Sequence, residues 1–140
     1  MIDYTLITDG AYSFTRNQGG IGLIVIDNEG YEVLEYNKTY VNTTNNQMEM
    51  MACILGMEAI KEPSVINIIT DSQYVIGCAT KGWKRKKNVE LWKRFDKAMN
   101  FHKEVTFTWT KGHADDKYNI RCDKLAVEAS QKEIPKKNNI

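Results

Sequence analysis

The chain has 140 residues, with 42% hydrophobic and 26% charged residues and a formal net charge of +1. That is enough chain to bury one core without a disulfide or structural metal, and the composition is ordinary for a soluble globular protein. No apolar run reaches the length of a membrane span, and the N-terminus Met1-Ile2-Asp3 lacks a signal-peptide pattern, so a cytoplasmic protein away from membranes is expected.

Three strand-like runs come first. Met1 to Thr8 forms the first, and Asp9 is read as its end. Ile21 to Ile26 is apolar almost throughout, as expected of a strand buried on both faces. Asp27-Asn28-Glu29-Gly30 supplies a turn and Tyr31 to Tyr40 returns as the third strand. Connections this short imply antiparallel pairing.

A helix capped by Thr44 or Asn45 is predicted to run to about Glu62, before Pro63. Met48, Met51, Ala52, Leu55 and Ala59 recur on it at helical spacing and read as a core stripe. Val65 to Thr70 is a fourth strand, ended by Asp71, and a short helix follows from Ser72 to Ala79. Asn88 is read as the cap of a helix whose Leu91, Trp92, Phe95 and Met99 face inward. Val105, Phe107 and Trp109 alternate with threonines, the period of a half-buried strand. A last helix is predicted from Asn119 to Lys132, and 135–140 as a frayed, disordered tail. A helix before each of the last two strands implies crossovers and parallel pairing. The expected fold class is α/β: a mixed five-stranded sheet, three strands antiparallel then two parallel, with flanking helices.

Cys53, Cys78 and Cys122 form no CxxC pair and sit among apolar neighbours, so buried free thiols are expected. Charge is unevenly spread. Between Lys81 and Lys97 there are eight cations and two anions, on a chain whose total is only +1. Such a patch fits a polyanionic partner.

Asp9, Glu49, Asp71 and Asp123 carry the chemistry. A carboxylate at the carboxyl end of a buried strand faces the crevice where open α/β sheets place their sites. Several carboxylates meeting there repel one another unless divalent cations neutralise them, as in a two-metal phosphoryl-transfer site. Mg²⁺, a hard cation that favours oxygen ligands, suits such a set.

The chain resembles type 1 ribonuclease H, of the compact bacterial kind. The resemblance is carried by Thr8-Asp9-Gly10, Gly19-Gly20, Thr43 through Ala52, Thr70-Asp71-Ser72-Gln73-Tyr74-Val75, Asn88-Val89-Glu90-Leu91-Trp92, Lys111-Gly112-His113-Ala114 and Arg121 through Ala126. These segments span nearly the whole chain in family order. The resemblance implies a ribonuclease H-like fold, with a catalytic domain over 1–134. It implies endonucleolytic hydrolysis of the RNA strand of an RNA–DNA hybrid with two Mg²⁺ ions, Mn²⁺ being an alternative, leaving 5′-phosphate and 3′-hydroxyl ends. Asp9, Glu49, Asp71 and Asp123 match the family's metal-binding carboxylates, and His113 its mobile-loop catalytic histidine.

Further matches concern the nucleic acid. Asn45, Asn46 and Gln73 correspond to readers of the hybrid's minor groove, and amides suit a 2′-hydroxyl that both donates and accepts. Thr44 matches a position holding a DNA-strand phosphate, and Trp92 an aromatic approaching the DNA backbone, although its spacing also fits core packing. Gly10 belongs to the same set. The loop Lys81-Gly82-Trp83-Lys84-Arg85-Lys86-Lys87 is read as a shortened form of the family's basic protrusion, which offers Trp83, Lys84, Arg85, Lys86 and Lys87 to phosphates. Departures include Ala11 for serine, Thr15 for asparagine, Gln47 for arginine and Ile120 for glutamate. A non-catalytic hybrid-binding module would have lost a carboxylate or the histidine, and neither is lost. A monomer is expected.

Overall fold

The computed structural model describes residues 1–111 and 116–134. Five strands form one sheet: β1 (Tyr4–Ser13), β2 (Gln18–Asp27), β3 (Glu32–Val41), β4 (Val65–Thr70) and β5 (Glu104–Trp109). Their order is β3-β2-β1-β4-β5. The pairs β1–β2 and β2–β3 are antiparallel, and β1–β4 and β4–β5 are parallel. The helices are α1 (Asn45–Ala59), α2 (Gln73–Thr80), α3 (Val89–Phe101) and α4 (Lys117–Ser130). The mixed sheet expected from sequence is the sheet observed.

Strand parity divides the core in two. Leu6, Leu23 and Val25 point to the face covered by α1, where Met50, Ile54, Met57, Val75, Trp92 and Phe95 complete the larger cluster. Ile7 and Ile24 point to the opposite face and meet Cys122 of α4. β2 is therefore buried on both sides, as its continuous apolar run implied. α1 sits between the sheet and α2 and α3, so it is buried around most of its circumference rather than along one stripe. Ala59, assigned to the core from its spacing, is exposed because it lies at the last turn, past the edge of the sheet's cover.

Several element ends differ from expectation. β1 does not end at Asp9: Gly10 to Ser13 continue the ladder against Gln18 to Ile21. α1 stops at Ala59, with Ile60 already extended, three residues short of Glu62. Residues before proline favour extended backbone, and here the release comes earlier still. α4 starts at Lys117, capped by Asp116, whose carboxylate accepts from the Tyr118 amide at 2.8 Å. Trp109 was expected to face inward but is exposed at the end of β5. All three cysteines are free and buried, as expected. His102 is buried at the end of α3, where Nδ1 accepts from the Ser64 amide (3.2 Å) and Nε2 lies 2.8 Å from the Met57 carbonyl. It braces the fold and stands in no carboxylate cluster. The predicted tail, 135–140, lies outside the described residues.

Candidate metal centre and nucleic-acid interface

β1 and β4 pair in parallel only as far as Ile7 and Ile69. Beyond that point β1 stays with β2 and leaves its other edge open, which makes a crevice at the carboxyl ends of the two parallel strands. Asp9 lies on β1 at the mouth of this crevice, in register with Gly22. Asp71 directly follows β4 and precedes Ser72, whose hydroxyl caps α2 by accepting from the Val75 amide (3.1 Å). Glu49 arrives from the first turns of α1, which is started by Thr44: its hydroxyl accepts from the Gln47 amide at 3.1 Å. Three elements thus deliver three carboxylates to one place.

Asp9, Glu49 and Asp71 each offer an oxygen, and these oxygens lie within 4.8 Å of one another. Asp9 and Glu49 are buried and Asp71 half-buried. The Gly10 amide donates to Asp9 Oδ1 (2.9 Å) and fixes its orientation. Among the described residues, Glu49 Oε1 and Asp71 Oδ1 are buried without a donor. Asp123, half-buried on α4, stands outside the tight trio but acts on Asp9 through its charge and a shared hydrogen bond. α4 is held over β1 at this point by the Cys122 thiol, which donates to the Ile7 carbonyl (3.3 Å).

The electrostatics follow from crowding. Burial, then the charges of Asp71 and Asp123, push the Asp9 carboxyl up to about 8. Burial, then Asp9 and Asp71, push Glu49 up to about 10. Protein donors do little to offset this charge, so the cluster calls for protons or cations. Orphaned inward-facing carboxylate oxygens at this spacing fit a hard divalent ion that takes several oxygens.

The remaining candidates fall into three groups. Thr44, Asn45, Asn46 and Gln73 are exposed around the cluster, at the N-terminal ends of α1 and α2. Lys84, Lys86, Lys87 and Trp83 are exposed on the loop after α2. Arg85 and Trp92 are placed differently. Trp92 is only 2% exposed and its Nε1 donates to the Tyr74 hydroxyl (3.1 Å), so the core-packing alternative holds and little of its surface is left for a DNA backbone. The Arg85 guanidinium lies 4.4 Å from the centre of the Trp92 ring, donates through Nε and Nη2 to the Cys78 carbonyl, and pairs with Asp96. It ties the loop to the C-terminal end of α2 and to α3, a position the helix dipole favours, and is engaged before any phosphate arrives. His113 lies outside the described residues.

The side chain of Asn88, read from sequence as the cap of α3, has a further part in positioning this surface. Asn88 takes a left-handed conformation (φ 60°) and makes no cap bond; its Oδ1 accepts from Gln47 Nε2 (3.0 Å) and its Nδ2 donates to the Tyr74 hydroxyl (3.0 Å). Gln47 and Tyr74 thereby join α1, α2 and the start of α3. No periodicity signals such a link, because the partners are 41 and 14 residues apart.

The RNase H family model matches residues 2–131. A ribonuclease H of Lachnoclostridium phytofermentans is 45% identical, with 90% of this chain and 90% of the relative covered. A ribonuclease H of Trichodesmium erythraeum is 41% identical over 93% of this chain and 90% of the relative, and a ribonuclease HI of Synechocystis 38% over 91% and 87%. Among solved structures, RNase H1 of the archaeon Halobacterium salinarum aligns with a TM-score of 0.73 at 26% identity, covering 90% of this chain and 96% of that one. The N-terminal RNase H domain of a Mycobacterium tuberculosis protein shares the fold with a TM-score of 0.82 at 20% identity, over 93% and 94%. With its acidic crevice intact, the chain belongs to the ribonuclease H family of nucleases.

Proposed function

We propose that this enzyme cuts the RNA strand of RNA–DNA hybrids internally, with two divalent metal ions, preferably Mg²⁺, and leaves 5′-phosphate and 3′-hydroxyl ends. The observation that carries the reading is the cluster of Asp9, Glu49 and Asp71, each offering an oxygen within 4.8 Å of the others, with Glu49 Oε1 and Asp71 Oδ1 buried without a donor among the described residues. Asp123 would complete the ligand set from α4. Divalent ions bound there supply charge neutralisation and Lewis acidity toward a phosphodiester.

The chain's own groups do the rest. Asn45 and Asn46, exposed at the first turn of α1, present amides that can both donate to and accept from a 2′-hydroxyl, and Gln73 does the same from α2. Thr44 and the N-terminus of α1 offer donors to a phosphate. His113, by its match to the family loop, carries a proton to or from the cleaved phosphate at near-neutral pH. One domain over 1–134, acting as a monomer in the cytoplasm, suffices for all of this.

Labelled hybrid, RNA duplex and DNA duplex, each incubated with and without Mg²⁺, test the reading. Cleavage confined to the RNA of the hybrid, and dependent on the ion, is expected. Equal cleavage of the DNA duplex, or cleavage in chelator, would overturn it.

The cationic loop should set affinity and leave the chemistry alone. Each lysine that neutralises a phosphate contributes about one unit to the dependence of log Kd on log salt. Replacing Lys84, Lys86 and Lys87 with alanine is expected to flatten that slope by up to about 3 units, with kcat at saturating hybrid nearly unchanged. Arg85 is left in place, because its loss would release the loop from α2 and α3. Superimposed Kd-against-salt lines for the two proteins would show that the loop is merely solvated.

A further inference from the structure

Two tryptophans line one cleft together with Gln73, two residues after Asp71. Trp109 ends β5, in register with Thr70, and is 46% exposed. Trp83, in the loop after α2, is 47% exposed and held from beneath. Its amide donates to the Gly77 carbonyl (3.2 Å), and its ring lies so close over Gly77 that a Cβ there would sit 2.1 Å from a ring atom. The helix has been kept bare at that position so that the indole lies against it. The cavity has a volume of about 270 Å³ and is lined by Gln73, Ile76, Lys81, Trp83 and Trp109.

The lining selects an occupant. Two indoles and Ile76 favour a flat, largely apolar ring, which aromatic walls hold by stacking. Gln73 adds an amide able to read a hydrogen-bonding edge, and Lys81 a cation for an attached anion. A planar heteroaromatic ring with such an edge and an anionic group is a nucleotide. Within a duplex both faces of a base are already stacked, so only an unpaired base can offer them. The cleft is also near the right strand: Gln73 is two residues from Asp71, and Thr70, the register partner of Trp109, precedes it.

We propose that the Trp83–Trp109 cleft is a stacking site for one unpaired nucleotide of the nucleic acid held at the carboxylates. The enzyme therefore binds hybrids that continue into a single strand more tightly than blunt ones. This rests on the hybrid reading above.

The test measures binding in chelator, by anisotropy of a labelled hybrid, for blunt duplexes and for duplexes with a short single-stranded extension on either strand. For the unmodified protein, an extension on at least one strand is expected to lower Kd by about 5–50-fold, what one stacked base supplies. Trp109→Ala should erase that gain and Trp109→Phe should keep most of it. Blunt-hybrid Kd and Mg²⁺-dependent cleavage of the blunt hybrid should stay unchanged in both. No gain in the unmodified protein, or a full gain in Trp109→Ala, overturns the proposal. Saturable quenching of tryptophan fluorescence by AMP alone, as tight as the extension's contribution, would assign the cleft to a free nucleotide and overturn it as well. Failure of the unmodified protein to cut the blunt hybrid would instead refute the hybrid reading, a result distinct from intact cleavage with no extension effect.

Discussion

Asp71→Asn is expected to abolish hybrid cleavage while leaving the metal-free protein folded and more stable by roughly 1 kcal/mol. Asp71 raises both Asp9 and Glu49 through its charge, so removing that charge relieves a repulsion that bound protons or a cation otherwise relieve. The same electrostatics fix the sign of the pH dependence. Asp9 rises from 3.8 to about 8 and Glu49 from 4.5 to about 10, so the folded protein holds protons that the unfolded chain releases. Stability from this source is fully present below about pH 4, and is lost as pH climbs through 8 and on to 10. Metal ions compete with those protons, so the rise in melting temperature on adding Mg²⁺ should grow across the same window. Melting temperatures in chelator and in Mg²⁺, from pH 5 to pH 9, check both statements, with Asp71→Asn giving the shallower metal-free decline. Near-normal Mg²⁺-dependent cleavage by Asp71→Asn would remove the carboxylate from the site. A metal-free stability that increases with pH would show that Asp9 and Glu49 are ionised in the fold.

Periodicity made the elements legible because each is largely decided by its own residues. The apolar runs of β2 and β4 and the inward face of α3 were readable from the sequence, and short connections against helical crossovers settled which strands run parallel. The carboxylates were readable for a different reason: their neighbours repeat a family pattern, and three of the four converge in the structure. What spacing could not carry was the identity of distant partners. Arg85 reads as one cation among five in its loop, yet it is consumed by Cys78, Asp96 and Trp92. Asn88 stands at the cap position it was read for, but its side chain bridges α1 and α2 instead of capping α3. Trp109 fits the inward period of β5 yet is exposed, because a period gives the side a residue faces and not what covers it. Asp9 looked like a strand terminus because Asp-Gly favours turns, whereas the ladder to β2 continues through Gly10 to Ser13.

Gly10→Ala is expected to cost more than its size suggests, about 1–3 kcal/mol of stability and about 100-fold in kcat. A Cβ at Gly10 would lie 2.5 Å from the Glu49 amide nitrogen and 2.7 Å from the Met48 carbonyl carbon. These are backbone atoms of α1, so no side-chain rotation relieves the overlap; either the helix start or β1 must move. α1 is anchored elsewhere by the Thr44 cap and by Met50, Ile54 and Met57 in the core, which concentrates the displacement near Glu49. Glu49 then leaves its place beside Asp9, and a shift of about 1 Å in a reacting constellation is enough for such a loss. Sequence resemblance placed Gly10 among the nucleic-acid contacts, and the two roles predict different kinetics. A backbone contact to substrate alone would raise KM and spare kcat. Helix displacement lowers kcat, weakens Mg²⁺ binding and shifts the urea midpoint together. Steady-state kinetics on the hybrid, with denaturation of the same variant, separate them: an unchanged urea midpoint with only KM altered would show that α1 tolerates the extra methyl group.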